Sequence, residues 1–309
     1  MTTTAVTVFN QILIMLFIMI VGSICYKIKL INKEMNKYLS DLVLMLVNPL
    51  VIFLSYQREF EDTLLQGLLI SLLLATITHV LAIIIAKRII RKKDKPEDGV
   101  LERFAVIYSN CGFIGIPLVN GIFGSEGVFY ITAYMTIFNL FVWTHGVISV
   151  SGKKDRRTIV QAFVSPSVIA TISGFLLFVL RIQLPETLVE AMSYIGNMNT
   201  PLAMMVAGVT IAQANLVKLL GKLRIYYISF LKLIFIPVVM LLIFSLFDLS
   251  REVLLTSVLA AACPTGATIN LFSIRYKKNY LYASEMFAVT TVLSVITIPL
   301  VMIVAELLI

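Results

Sequence analysis

Charged residues are scarce in this chain: only 14% of its 309 residues are Asp, Glu, Lys or Arg, whereas 59% are hydrophobic. A soluble domain is about half apolar and about a quarter charged. The mean hydropathy of +0.97 therefore predicts an integral membrane protein. Its apolar runs of about 20 residues favour helices over barrel strands. Little chain remains outside these runs, which excludes a separate catalytic or nucleic-acid-binding domain.

Cysteine is rare, and the marks of intramembrane enzymes are missing. The three cysteines, Cys25, Cys111 and Cys263, are odd in number and lie within apolar runs, which argues against a disulfide framework. Neither an H-E-x-x-H motif nor a pair of Asp residues within a span appears. No Lys or Arg precedes the first apolar run, which disfavours a cleavable signal peptide. We expect neither enzymatic activity, nor a metal, nor a cofactor.

Ten apolar runs are long enough to cross a bilayer, five in each half of the chain. The predicted spans are residues 8–26, 38–56, 64–86, 104–123 and 128–150, and then 159–180, 191–212, 225–247, 253–274 and 286–305.

Basic residues alternate between the two sides of these spans. Most of the 25 Lys and Arg residues lie in the segments 27–37, 87–103, 153–157, 218–224 and 275–278, whereas the opposite loops hold only Arg58, Arg181 and Arg251. The positive-inside rule places the basic loops in the cytoplasm and both termini outside it, in a multi-pass protein of the cell membrane. These loops set topology and meet anionic lipid headgroups, so no nucleic-acid partner is expected.

Helix-breaking residues recur at matching places in the two halves. The second span carries Asn48 and Pro49, and the seventh carries Asn199 and Pro201. Because five spans is an odd number, the second half is inserted upside down relative to the first. Residues 1–151 and 152–309 therefore form a predicted 5+5 inverted repeat with interrupted helices, which is typical of a secondary transporter.

The fourth and ninth spans carry the strongest interruptions, "YSNCGFIGIPLVNGIFG" at 108–124 and "CPTGATINLF" at 263–272. For one span alone, a kink with close packing explains such residues well. Two matching breaks instead predict two helices that cross at the bilayer centre and aim their N-termini at one anion. The predicted substrate-binding residues are Asn110, Cys111, Gly112, Pro264, Thr265, Gly266, Thr268 and Asn270, with Asn48 and Asn199; the predicted helix breakers are Gly115, Pro117, Pro49 and Pro201.

At these residues the chain resembles the auxin efflux carrier family, which includes plant auxin exporters and bacterial malate and malonate permeases. The resemblance implies that spans 1, 2, 6 and 7 form a scaffold, usually dimeric, against which spans 3–5 and 8–10 move as an elevator. It also implies that Asn110 contacts the substrate carboxylate and that Pro264 is the proline of the ninth-span crossover. Plant members have a proline where this chain has Ser109, and their long hydrophilic loop is missing here.

Few ionisable residues lie within the spans, and these are candidates for ion coupling. His79 in the third span is either a proton carrier or a packed side chain bonded to a backbone carbonyl. Lys232 in the eighth span either snorkels to the cytoplasm or pairs with Asp41. Proton coupling, sodium coupling, anion exchange and uniport all remain open.

The sequence therefore predicts a carrier for small organic anions, mono- or dicarboxylates such as malate or malonate. A membrane sensor that binds a metabolite on a transporter-like fold is one alternative. A cation/proton antiporter is another, although no acidic residue lies near the middle of the fourth, fifth or ninth span to bind a cation.

Overall fold

The structure is a computed structural model that describes residues 3–90, 96–152, 165–213 and 222–308. Within these ranges the chain is helical, with a single isolated β-bridge between Ser109 and Thr265. Six helical segments are long and apolar enough to cross a membrane, as an all-helical membrane protein requires. These segments are Val6–Lys27, Lys33–Ser55, Asp62–Ile89, Cys111–Ser151, Leu223–Phe244 and Tyr280–Leu308.

The helices follow the predicted apolar runs closely. In the first half they are α1 (Thr3–Lys27), α2 (Lys33–Leu42), α3 (Asn48–Ser55), α4 (Asp62–Ile89), α5 (Pro96–Ile107), α6 (Ile116–Phe141) and α7 (Val147–Ser151). In the second half they are α8 (Pro166–Val179), α9 (Glu186–Gly196), α10 (Asn199–Gln213), α11 (Leu223–Phe230), α12 (Ile236–Phe244), α13 (Arg251–Ala262), α14 (Thr268–Arg275) and α15 (Tyr280–Leu308).

Several predicted helix breakers do not break a helix. The π-helical turns Val43–Val47 and Cys111–Gly115 come just before Pro49 and Pro117, and the backbone stays helical through each of them. A proline ring clashes with the carbonyl four residues earlier, and a widened π-helical turn relieves that clash without ending the helix. Gly115 has helical backbone angles as well. The prediction that these three residues interrupt their helices is therefore wrong.

Two other residues lie next to real interruptions. Pro201 is the third residue of α10, which follows a short gap after α9 ends at Gly196. Gly124 has φ +62 and ψ −150 inside α6, a backbone conformation that glycine adopts without steric cost. Gly124 thus separates the predicted fourth span from the fifth.

One group of helices is built around close contact between α1 and α10, and α2, α3, α8 and α9 join it. Gly22 of α1 lies against the backbone of Met205, and Gly208 of α10 lies against the backbone of Met19. The hydroxyl of Ser23 donates to the carbonyl of Gly208 at 2.8 Å. Small residues let membrane helices approach each other this closely, and van der Waals packing then holds the pair.

The second group contains α4–α7 and α11–α15. Helix α6 packs on α4 and α13, and α13 packs on α12, so the two chain halves interleave here. The carboxylate of Glu102 on α5 accepts from Arg224 on α11 and from Tyr282 on α15, at 2.5–2.9 Å. Contacts of α1 with α6 and α15, and of α3 with α6, join the two groups.

Some predictions lie outside the described residues. They concern the basic residues Arg91, Lys92, Lys93, Lys95, Lys153, Lys154, Arg156, Arg157 and Lys218, the first residues of the predicted sixth span from Ile159, and most of the link between the two halves.

Candidate functional site

Two helix interruptions meet at the centre of the second group of helices. Helix α5 ends at Ile107 and the chain becomes helical again at Cys111; α13 ends at Ala262 and α14 begins at Thr268. The two short extended links run antiparallel. The N–H of Asn110 donates to the carbonyl of Pro264 at 2.7 Å, and the N–H of Gly266 donates to the carbonyl of Tyr108 at 2.8 Å. We call residues 108–110 and 263–267 the crossover.

Each link also caps the helix that ends in the other half. The hydroxyl of Thr265 donates to the carbonyl of Ala105 at 3.1 Å, and the hydroxyl of Ser109 donates to the carbonyl of Ala261 at 3.4 Å. The last four carbonyls of a helix have no partner within it, and leaving them unpaired in a dry interior is costly. The two caps are related in sequence, because both donors and both acceptors are 156 residues apart.

Asn110 occupies the position at which the fourth-span helix restarts. Its carbonyl accepts from the N–H groups of Ile114 and Gly115, and its own N–H donates to the carbonyl of Pro264. Its side chain is different: the residue is 6% exposed, and the amide has no hydrogen-bond partner among the described residues. A side-chain amide offers two donors and an acceptor, so this group is available to a ligand.

The first residues of α3 and α10, Asn48 and Asn199, come together beside this point. The Nδ2 of Asn199 donates to the Oδ1 of Asn48, and the Nδ2 of Asn48 donates to the carbonyl of Gly112 at 3.5 Å. Both residues are buried. This chain of hydrogen bonds connects α10, α3 and the helix that starts after the crossover.

Three further predicted binding residues, Cys111, Thr268 and Asn270, have different surroundings. Cys111 and Cys263 are buried free thiols, and both lie beside Gly115, where an added Cβ would be 3.4 Å from each. Thr268 begins α14, and its buried hydroxyl has no partner in the described part of the chain. Asn270 lies further along α14, where its Oδ1 accepts from Ser284 at 3.2 Å, so its amide is used for packing against α15.

His79 is buried among aromatic rings of the same group of helices. Its Nδ1 lies 2.8 Å from the carbonyl of Ala75, and its ring stacks on Phe141 with centroids 5.4 Å apart. Its Nε2 is buried and has no partner in the described ranges. The contact with Ala75 matches the packed histidine of the two alternatives, while proton transfer by the free Nε2 stays a prediction.

Lys232 lies at neither of its predicted positions. Its side chain is 1% exposed and its Nζ donates to Ser109 Oγ at 2.5 Å and to the carbonyl of Ala261 at 3.2 Å. It therefore does not snorkel to the cytoplasm, and Asp41 is exposed elsewhere. The π-helical turn Leu231–Phe235 allows Pro237 to follow without a break and carries Lys232 towards the crossover.

Sequence reasoning missed this position of Lys232, and a signal for it exists. Lys232 follows His79 by 153 residues, a separation between those of Asn48 from Asn199 and of Ser109 from Thr265. Residues at this spacing in an inverted repeat are related by the same pseudo-two-fold axis. A search for basic residues at the spacing of the predicted repeat would have paired Lys232 with His79.

Comparisons with known proteins agree with a transport role. The chain matches the family described as "Membrane transport protein" over residues 7–161 and 155–302. It is 24% identical over 275 residues to a Rhizobium meliloti protein named "Putative malonate transporter", covering 86% of this chain and 85% of that one. It is 23% identical over 213 residues to an uncharacterized transporter of Methanocaldococcus jannaschii, covering 66% and 68% of the two chains. The protein therefore belongs to the membrane transport protein family, as its resemblance to auxin efflux carriers predicted, and is a transporter and not an enzyme.

Proposed function

We propose that this protein is a secondary active transporter for small organic anions, with its substrate site at the crossover. The observation that carries the proposal is the side-chain amide of Asn110. It is largely buried, has no hydrogen-bond partner among the described residues, and stands where a helix begins. A helix start carries about half a positive charge, and an amide N–H adds a directional donor for a carboxylate oxygen.

The charge around the crossover supports an anion rather than a cation as substrate. Residues 104–124 and 255–274 contain no Asp or Glu. The one ionisable amine that contacts these links in the described structure is that of Lys232. Carboxylates are common ligands of a cation in a membrane interior, and the described residues hold no cluster of three His, Cys, Asp or Glu side chains. These features disfavour the cation/proton antiporter.

The proposal includes ten spans arranged as a 5+5 inverted repeat, residues 1–151 and 152–309. The reciprocal hydrogen bonds and reciprocal caps of the crossover support it, because an inverted repeat relates its halves by a two-fold axis. The two groups of helices support a scaffold of spans 1, 2, 6 and 7 and a transport domain of spans 3–5 and 8–10. In this scheme the transport domain carries the substrate past the scaffold as an elevator, and the scaffold forms a homodimer.

The proposed orientation predicts which loops a membrane-impermeant maleimide reaches in intact cells. Leu246, in the loop after α12, is 81% exposed and lies on the proposed outer side; Leu30, in the loop after α1, is exposed on the proposed cytoplasmic side. We expect Leu246→Cys to be labelled in intact cells and Leu30→Cys only after permeabilisation. The native cysteines are buried and give a low background. The reverse labelling pattern would refute outward-facing termini.

Asn110→Ala tests the site. Malonate is the first ligand to try, because a relative carries that substrate in its name. We expect malonate or another small carboxylate to raise the midpoint of thermal unfolding of the purified protein, and we expect Asn110→Ala to reduce apparent affinity about tenfold or more. Loss of one hydrogen bond to a charged ligand costs about 1.5–3 kcal/mol, which corresponds to this change.

Asn197→Ala is the matched control, because Asn197 is an exposed asparagine at the end of α9. It should bind the ligand as the unmodified protein does. Undiminished binding by a stable Asn110→Ala protein would remove Asn110 from the site. Uptake of the radiolabelled ligand into proteoliposomes separates a carrier from a sensor, because a sensor binds without moving its ligand.

A further inference from the structure

Lys232 is buried and has no acidic partner among the residues that the structure describes. Its Nζ contacts Ser109 Oγ and the carbonyl of Ala261, and both groups are neutral. Other basic residues of the described chain do have acidic partners, as in the ion pairs Lys222–Glu285 and Arg224–Glu102. Removing an ammonium group from water costs several kcal/mol unless a counter-charge and hydrogen bonds compensate it. The protein therefore maintains a position that favours a bound anion.

The two oxygens that hold Lys232 are the kind that hold a hard metal cation. Hydroxyl and carbonyl oxygens are typical ligands of such ions. The carbonyl of Ala261 also belongs to the C-terminal end of α13, which carries about half a negative charge. The amine occupies this place because it is attached to the chain, so no dissolved ion has to fill it.

The same ammonium group contacts the residue that precedes Asn110, whose side-chain amide is free for a ligand. Ser109, which receives one N–H of Lys232, is the residue before Asn110. An ammonium carries three donors, and the described residues accept from two of them. Nothing else with a formal charge contacts Ser109 or Ala261 in the described structure. The positive charge of Lys232 is thus held on the link that also carries Asn110.

We propose that Lys232 is a tethered cation that supplies the counter-charge for the substrate carboxylate at the crossover, in the place of a dissolved coupling cation. The inference rests on the proposed function, because it names the group that makes that site selective for anions. In this proposal Lys232 supplies positive charge to the site and positions the crossover link through its hydrogen bond to Ser109. It also predicts that anion binding does not need sodium.

Lys232→Met is the principal test, because Met keeps the length and apolar stem of the side chain and removes the charge. The purified protein is followed by thermal unfolding with malonate and other small carboxylates. We expect apparent affinity to fall tenfold or more in Lys232→Met. We also expect its unfolding midpoint without ligand to equal or exceed that of the unmodified protein, because an uncompensated buried charge has been removed. A structural cap alone would give the opposite result, a lower midpoint with unchanged affinity.

Lys222→Met is the matched control. Lys222 is exposed and pairs with Glu285 away from the crossover, so this variant should keep full affinity. Equal affinity in the unmodified protein and in both variants would overturn the role of Lys232 and leave the anion carrier intact. If no carboxylate stabilises even the unmodified protein, the proposed function itself is wrong and this inference falls with it.

Sodium replacement gives a second measurement on the unmodified chain, which keeps the proposal falsifiable if Lys232→Met does not fold. Malonate titrations are carried out in sodium, potassium and choline chloride at one ionic strength. The same apparent affinity in all three salts is the expected result. An affinity that rises several-fold with sodium alone would show that a dissolved cation serves the site, and would overturn the tethered cation.

Discussion

Replacing Gly208 with alanine should lower the stability of this protein by about 3 kcal/mol, the upper end of what overpacking costs. A Cβ at Gly208 would lie 1.9 Å from the carbonyl oxygen of Met19, far inside van der Waals contact. That oxygen belongs to backbone, so no side-chain rotation can relieve the clash. Helices α1 and α10 have to move apart, and the hydrogen bond from Ser23 to the carbonyl of Gly208 is lost or stretched.

Thermal unfolding in detergent, followed by size-exclusion chromatography, measures this effect. Gly99→Ala is the matched control, because an added Cβ at Gly99 on α5 meets no atom within 4 Å. That change should be neutral or raise stability by up to about 1 kcal/mol, since alanine favours helix more than glycine does. Equal unfolding midpoints for the two variants would show that α1 and α10 do not pack backbone to backbone.

The second large effect concerns the carboxylate of Glu102. This residue is 5% exposed, whereas the side chain of its partner Arg224 is 43% exposed. Arg224→Leu leaves a buried carboxylate with Tyr282 as its remaining donor among the described residues, and breaking a buried pair in this way costs about 3 kcal/mol. Glu102→Gln leaves a guanidinium that turns to water and should cost only about 1 kcal/mol.

The predicted asymmetry is the decisive result, and thermal unfolding of the two variants tests it. Lys222→Leu serves as the control, because it removes a basic residue from a more exposed ion pair with Glu285 and should cost less than about 1 kcal/mol. If Arg224→Leu were no worse than Lys222→Leu, Glu102 would have to be reached by water in the folded protein.

Sequence reasoning found the residues of the candidate site whose type is unusual inside a membrane-spanning helix. Asn110 and Pro264 were singled out because polar and helix-breaking residues are costly inside a membrane, and they now lie within one hydrogen bond of each other. Asn48 and Asn199 were singled out by repetition and form a pair. The residue types and their recurrence in the two halves were sufficient to select these residues from the sequence.

Other features depend on contacts that sequence patterns do not record. Pro49 and Pro117 were expected to break helices, but a π-helical turn before each accommodates the ring. Whether a helix breaks or widens depends on what its freed carbonyl meets in the folded protein. The position of Lys232 was missed for a similar reason. The hydropathy pattern places Lys232 two turns from a helix start. Only the folded structure shows that its Nζ contacts Ser109.

The reciprocal caps of the crossover have a consequence for how the protein is made. The carbonyls of Ala105 and Tyr108 receive their hydrogen bonds from Thr265 and Gly266, which are synthesised more than 150 residues later. Until those residues enter the membrane, these two carbonyls lack the hydrogen-bond partners that they have in the folded protein, in a medium that offers no water. The helix end at residues 105–108 is therefore completed only when the later link of the crossover has been made.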